Sequence, residues 1–203
     1  MANSQEFVSR RIHSLLGLVP IGLFLLVHLV ANYSATRGAE AFNSTVTFME
    51  SLPILIVLEF VFIYIPLLFH AIYGIYIAFQ AKSNVGNFGY LRNHLFLWQR
   101  ISGIITLIFV AWHVWQTRIQ IAMGTEFNYD LMASILSNPA MVVFYVIGVL
   151  AAVFHFSNGI WSFLVHWGIT VGPRSQRLAS YFTLVIFVVV SFIGIRAITA
   201  FIQ

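Results

Sequence analysis

Cysteine is absent from this chain. That excludes disulfides, thiolate metal sites, iron–sulfur ligation and the covalent attachment of a c-type haem. Charge is scarce as well. Asp, Glu, Lys and Arg together make up 8% of the 203 residues, against 60% hydrophobic residues. Soluble domains carry about a quarter charged residues, so a mean hydropathy of +0.91 places this chain among polytopic membrane proteins. The few cations fall at the ends of apolar runs rather than along one face, which argues against nucleic acid as a partner. The apolar runs also lack alternation with polar residues, which argues against a membrane β-barrel.

What is present is a series of long apolar runs. A helical crossing takes about 20 mostly apolar residues, and five runs qualify, at about 12–33, 53–81, 97–118, 139–167 and 179–201. Pro53 suits the first turn of the second helix, where its missing N–H costs nothing. Residues 1–203 are therefore expected to form one all-α transmembrane domain. Residues 1–11 are polar, and the run after them has no small-residue cleavage site, so the first helix is expected to remain in the mature protein.

Positive charge in the short loops sets the orientation. Arg10, Arg11, Lys82, Arg92, Arg100, Arg174 and Arg177 gather on one side, and Arg37, Arg118 and Arg196 on the other. The N-terminus is thus expected in the cytoplasm and the C-terminus outside. Glu40, Glu50, Glu126 and Asp130 all fall in the outer loops.

Four histidines lie within the apolar runs, with a repeated spacing: His28 to His70 is 42 residues, and so is His113 to His155. Ionisable groups inside a membrane span are costly and mark functional sites by default. Helices one and three run outward, placing His28 and His113 near the outer surface. Helices two and four run inward, placing His70 and His155 in the inner half. The two levels differ by roughly 15 Å at 1.5 Å of rise per residue. A zinc site needs three or four ligands at one level. Two imidazoles from facing helices instead suit the axial positions of a six-coordinate haem iron, and without cysteine the candidate is noncovalent b-type haem. The expected fold is a four-helix bundle core holding two b haems, with the fifth helix beside it.

Glycines fit such a core. Gly74 and Gly159 each follow an inner histidine by four residues, Gly17 precedes His28 by eleven, and Gly103 precedes His113 by ten. Each would let a flat macrocycle approach the backbone, although small residues also serve plain helix packing. Arg11 and Arg100, in the similar segments Arg11-Ile-His-Ser and Arg100-Ile-Ser-Gly, are placed to hold propionates or simply to anchor the inner edge. His13, His94 and His166 are expected to be wet interfacial histidines. Glu59 is the only acid within a span, a candidate for proton transfer or quinone contact, or else a carboxyl paired in the bundle. Arg196 is expected to snorkel to the outer surface, and Ser157 and Asn158 to satisfy local hydrogen bonds.

The segments Arg11-Ile-His-Ser-Leu-Leu-Gly17, Arg37-Gly-Ala-Glu-Ala-Phe-Asn43, Gly103-Ile-Ile-Thr-Leu-Ile-Phe-Val-Ala-Trp-His113 and His155-Phe-Ser-Asn-Gly-Ile-Trp161 resemble the cytochrome b558 subunits of succinate dehydrogenase. The resemblance covers essentially the whole chain. It implies a two-haem anchor in a bacterial cytoplasmic membrane, with a flavoprotein and an iron–sulfur subunit docked on the cytoplasmic face. It further implies His70 and His155 at the inner haem, His28 and His113 at the outer, and menaquinone as electron acceptor. Composition and histidine depth alone leave room for an anchor of another dehydrogenase or of fumarate reductase. They also leave room for a small transporter with histidine proton relays.

Overall fold

Residues 4–202 are described by the computed structural model, and every regular element among them is helical. Among these residues, five helices are long and apolar enough to cross a membrane: Ser4–Arg37, Leu55–Gln80, Leu91–Ala122, Pro139–His166 and Pro173–Ala200. Two short helices, Ala39–Glu50 and Tyr129–Leu136, occupy the connections at the end opposite the N-terminus.

Several boundaries differ from the hydropathy limits, each for a local reason. The first span starts at Ser4 rather than near residue 12, its polar opening turns supported by the Arg10–Glu6 pair at 2.7 Å. Pro20 removes one donor from its ladder, yet Val19 N–H to Leu15 O and Leu23 N–H to Val19 O carry the helix past it. The third span starts at Leu91, six residues early, because neighbouring helices hold its polar turn. Arg92 donates to Ser180 of the fifth span and stacks 3.6 Å over Trp161 of the fourth. The fifth span starts at Pro173, where Ser175 Oγ accepts the Gly172 N–H.

Pro53 does not begin the second span. The helix starts at Leu55, and Ile54 before it takes a left-handed φ of 54°. A β-branched residue held there costs about 1–2 kcal/mol. The chain therefore turns sharply after Pro53 instead of entering the helix through it.

Span four is central, packing against spans one, three and five, with 39% of its apolar window buried. Span two is peripheral, with 6% buried. At the end away from the N-terminus, Phe42, Tyr129 and Phe201 form an aromatic cluster. Asn43 Oδ1 accepts the Tyr129 N–H at 2.8 Å, and Tyr129 O–H donates to Ala200 O at 2.5 Å. The Arg37–Asn43 segment thus ties the two short helices to the last turn of span five.

Candidate functional site

The four buried histidines come from four different spans and meet in pairs. His28 of span one and His113 of span three have ring centres 5.8 Å apart, with planes at 75°. His70 of span two and His155 of span four have ring centres 6.1 Å apart, with planes at 87°. Among the described residues, no ring contact joins one pair to the other. Residues 42 apart in sequence therefore lie at different levels, and residues 85 apart share one.

Main-chain carbonyls orient the second pair. His70 Nδ1 lies 3.0 Å from His13 O, and His155 Nδ1 lies 3.0 Å from Gln99 O. A carbonyl only accepts, so each Nδ1 carries the proton and leaves Nε2 with the free lone pair. Metal-binding histidines are held in this way, their second nitrogen donating to a fixed acceptor. Gln99 strengthens the arrangement by donating from Nε2 to His155 O at 2.9 Å, and Asn158 Nδ2 in turn donates to Gln99 Oε1 at 2.6 Å.

In the first pair, His113 Nδ1 lies 3.3 Å from the Tyr145 hydroxyl. His28 is the exception. Its nearest polar partner is Asn32, whose Nδ2 donates to His28 O at 2.8 Å and stands 3.4 Å from His28 Nε2.

Two glycines close over the second pair. A Cβ on Gly17 would stand 2.4 Å from His70 Cε1, and one on Gly103 would stand 2.9 Å from His155 Cε1. Only a hydrogen fits at either place. Gly74 and Gly159 do not meet those rings: Gly74 faces His13 Nε2, and Gly159 faces Gln99 Nε2. One turn of helix carries each of them past its histidine to that histidine's neighbour.

His13 is not a wet interfacial residue. Because span one begins at Ser4, His13 lies more than two turns inside it, and its ring stacks on His70 at 4.0 Å and 7°. Its buried Nε2 has no hydrogen-bond partner among the described residues. His166 is exposed at the end of span four, as expected, with Nδ1 against Ser162 O. His94 lies in the first turn of span three.

Both arginines have partners within the protein. Arg11 lies against Phe7 and Trp167, at 4.5 and 5.1 Å from their ring centres. Arg100 sits 3.3 Å over Phe96 and donates from Nη1 to Phe96 O, while its buried Nε has no hydrogen-bond partner among the described residues. Glu59 is ion-paired with Arg118 at 2.7 Å. Each of these two residues borders or lies in a π-helical turn, Phe60–Tyr64 and Trp115–Ile119. Such turns concentrate at functional sites.

Sequence reasoning passed over Gln99, Gln116 and Tyr145, and gave Asn158 only a local role. Their one signal is an uncharged polar group inside an apolar span, which a histidine-centred search does not weigh.

Among the described residues, no three His, Asp or Glu gather to hold a metal ion on their own. The chain offers two imidazoles at each level, so the fit to a cofactor rests on their spacing. Two imidazoles bonded through one first-row metal, at about 2 Å each, have ring centres about 6 Å apart. Both observed spacings agree with that figure, and at Gly17 and Gly103 the imidazoles press so close to the helix backbone that no side chain could stand there.

Relatives agree with this architecture. Residues 78–195 match the family described as "Succinate dehydrogenase/Fumarate reductase transmembrane subunit". The whole chain is 60% identical over 202 residues to the whole of "Succinate dehydrogenase cytochrome b558 subunit" from Bacillus subtilis (strain 168). Five apolar spans carrying paired imidazoles, and an identity of that size from end to end, lead to one assignment: the chain belongs to the succinate dehydrogenase/fumarate reductase transmembrane subunit family.

Proposed function

We propose that this subunit binds two b-type haems, one between His70 and His155 and one between His28 and His113, and passes electrons from a docked iron–sulfur subunit to menaquinone. The observation that carries the reading is the pairwise meeting of four histidines from four spans, at ring spacings of 5.8 and 6.1 Å. Bound haem would supply reversible one-electron transfer at each level. The rest of the work falls to the chain. The carbonyls of His13 and Gln99 hold the Nδ1 protons of His70 and His155, so that Nε2 stays a ligand. Gly17 and Gly103, having no Cβ, let those rings press against spans one and three. Arg100, with an unused buried Nε donor, and Arg11 are the candidates for holding propionates.

The excess of Lys and Arg on the N-terminal side supports an N-terminus in the cytoplasm of a bacterial cell, a C-terminus outside, and flavoprotein and iron–sulfur subunits docked on the cytoplasmic face. Residues 1–203 act as one domain. The Glu59–Arg118 pair, five residues along span three from His113, is the candidate quinone or proton site. Moving electrons from the inner pair to the outer pair would couple quinone reduction to the membrane potential. The relative's name favours succinate oxidation over fumarate reduction.

A reduced-minus-oxidised spectrum of membranes expressing the chain tests the cofactor. Soret and α bands, with two haems per chain by pyridine haemochrome assay, are expected. A colourless protein would overturn the reading in favour of a histidine proton relay. Identification of the soluble subunits that co-purify tests the dehydrogenase partner.

A further inference from the structure

The two histidine pairs are oriented by different chemistry. His70 and His155 present Nδ1 at 3.0 Å to main-chain carbonyls, which no substitution removes, and His155 Nδ1 has the Gln99 amide and the Ser102 hydroxyl farther off, at 3.2 and 3.5 Å. His113 presents Nδ1 to a side chain, the Tyr145 hydroxyl, at 3.3 Å. A hydroxyl can donate or accept, and the surroundings decide which. Tyr145 O–H donates to Gln116 Oε1 at 3.2 Å, and Gln116 Nε2 points to Met141 Sδ at 3.7 Å. With its proton committed to Gln116, the hydroxyl accepts from His113 Nδ1. His113 and Gln116 are one turn apart on span three, so the chain closes on itself through span four.

Packing holds this relay in register. Tyr145 is 3% exposed. Phe109, one turn before His113, stacks on the His113 ring and meets Tyr145 edge-on at 5.3 Å. Gly148, three residues after Tyr145, admits Phe109 so closely that a Cβ there would stand 2.2 Å from its ring. Spans three and four therefore cannot slide without separating His113 from Tyr145.

We infer that Tyr145, with its proton held by Gln116, is the positioning residue for His113 and sets the electron density of that ligand. The inference rests on the proposed role of His113 as a haem ligand. An acceptor on Nδ1–H makes the imidazole more basic, which favours the oxidised iron. Loss of the acceptor therefore raises the reduction potential of that haem alone.

The test uses the assembled complex in membranes and three variants: His113→Ala, Tyr145→Phe and Gln116→Leu. His113→Ala identifies which haem signal belongs to this ligand. Redox titration at the α band and the low-spin EPR g values are then recorded for the other two. The expected result for Tyr145→Phe is a shift of about tenfold toward the reduced form, about 59 mV for one electron. The shift is confined to the haem that His113→Ala removes and is accompanied by a changed EPR signal. Gln116→Leu, outside the ring contacts, is expected to move the same haem in the same direction. Unchanged potentials and g values for both haems in Tyr145→Phe and Gln116→Leu would overturn the positioning role. So would equal shifts in both haems, which signal general loosening of the bundle. Retention of both haems in His113→Ala would overturn the ligand reading itself, and this inference with it.

Discussion

Gly17 and His70 stand closer than any side chain permits: a Cβ at position 17 would lie 2.4 Å from His70 Cε1 and 2.7 Å from its Nδ1. His70 Nδ1 is also bound to His13 O, so the ring cannot swing away without losing that bond. Gly17→Ala is therefore expected to displace the His70 ring and lower occupancy of the haem proposed between His70 and His155, by about 10-fold or more in affinity, the range for lost support of a metal ligand. The pyridine haemochrome content of the purified variant checks this. Full content of both haems would show that the helices part easily here.

Single His→Ala substitutions separate the two levels. His28→Ala and His113→Ala are expected to lose the same haem, and His70→Ala and His155→Ala the other. Low-temperature α-band spectra of the four variants read the outcome. A shared spectrum for His28→Ala and His70→Ala would contradict the two-level arrangement of the ring pairs.

Glu59 and Arg118 join the two π-helical turns. Glu59→Gln removes the charge with little change of volume. If the carboxylate delivers protons to a reduced quinone, turnover is expected to fall about 10²-fold, with both haems retained and still reduced by succinate. Stopped-flow haem reduction alongside steady-state quinone reduction distinguishes this from loss of assembly. Unchanged turnover would leave the pair a structural tie.

Asn43 provides a contrast, because its side chain serves only the helix connections. Its Oδ1 satisfies the main-chain N–H of Tyr129, the first residue of the helix Tyr129–Leu136. Asn43→Ala is expected to cost about 1 kcal/mol and to lower the thermal midpoint of the detergent-solubilised protein. Haem content and spectra should be unaffected. A loss of either haem would tie this end of the bundle to the cofactor sites.

Much of the fold was legible because the bilayer imposes a simple rule. A backbone crossing hydrocarbon must satisfy its own hydrogen bonds, so five apolar runs mean five helices. Helix ends were less legible. Arg92, Asn93 and His94 look like a loop in a hydropathy profile, yet they form the first turns of span three because Ser180 and Trp161 receive Arg92. Pro53 looked like a helix start, and Ile54 instead turns the chain. His13 looked like a wet residue, and the early start of span one carried it under His70. Tyr145, Gln99 and Gln116 carry no motif at all. Their importance lies in which nitrogen or carbonyl they reach on another helix.

Sequence alone determined the class, the number of spans, the four histidines and their division into two levels. Hydropathy and a helical rise of 1.5 Å per residue are one-dimensional quantities that need no partner. The tertiary structure decided which neighbour each side chain meets: His13 O on His70, Gln99 O on His155, Tyr145 on His113, Arg118 on Glu59. Those contacts depend on the rotation and register of one helix against another, which are set by packing at points such as Gly17 with His70 and Gly148 with Phe109.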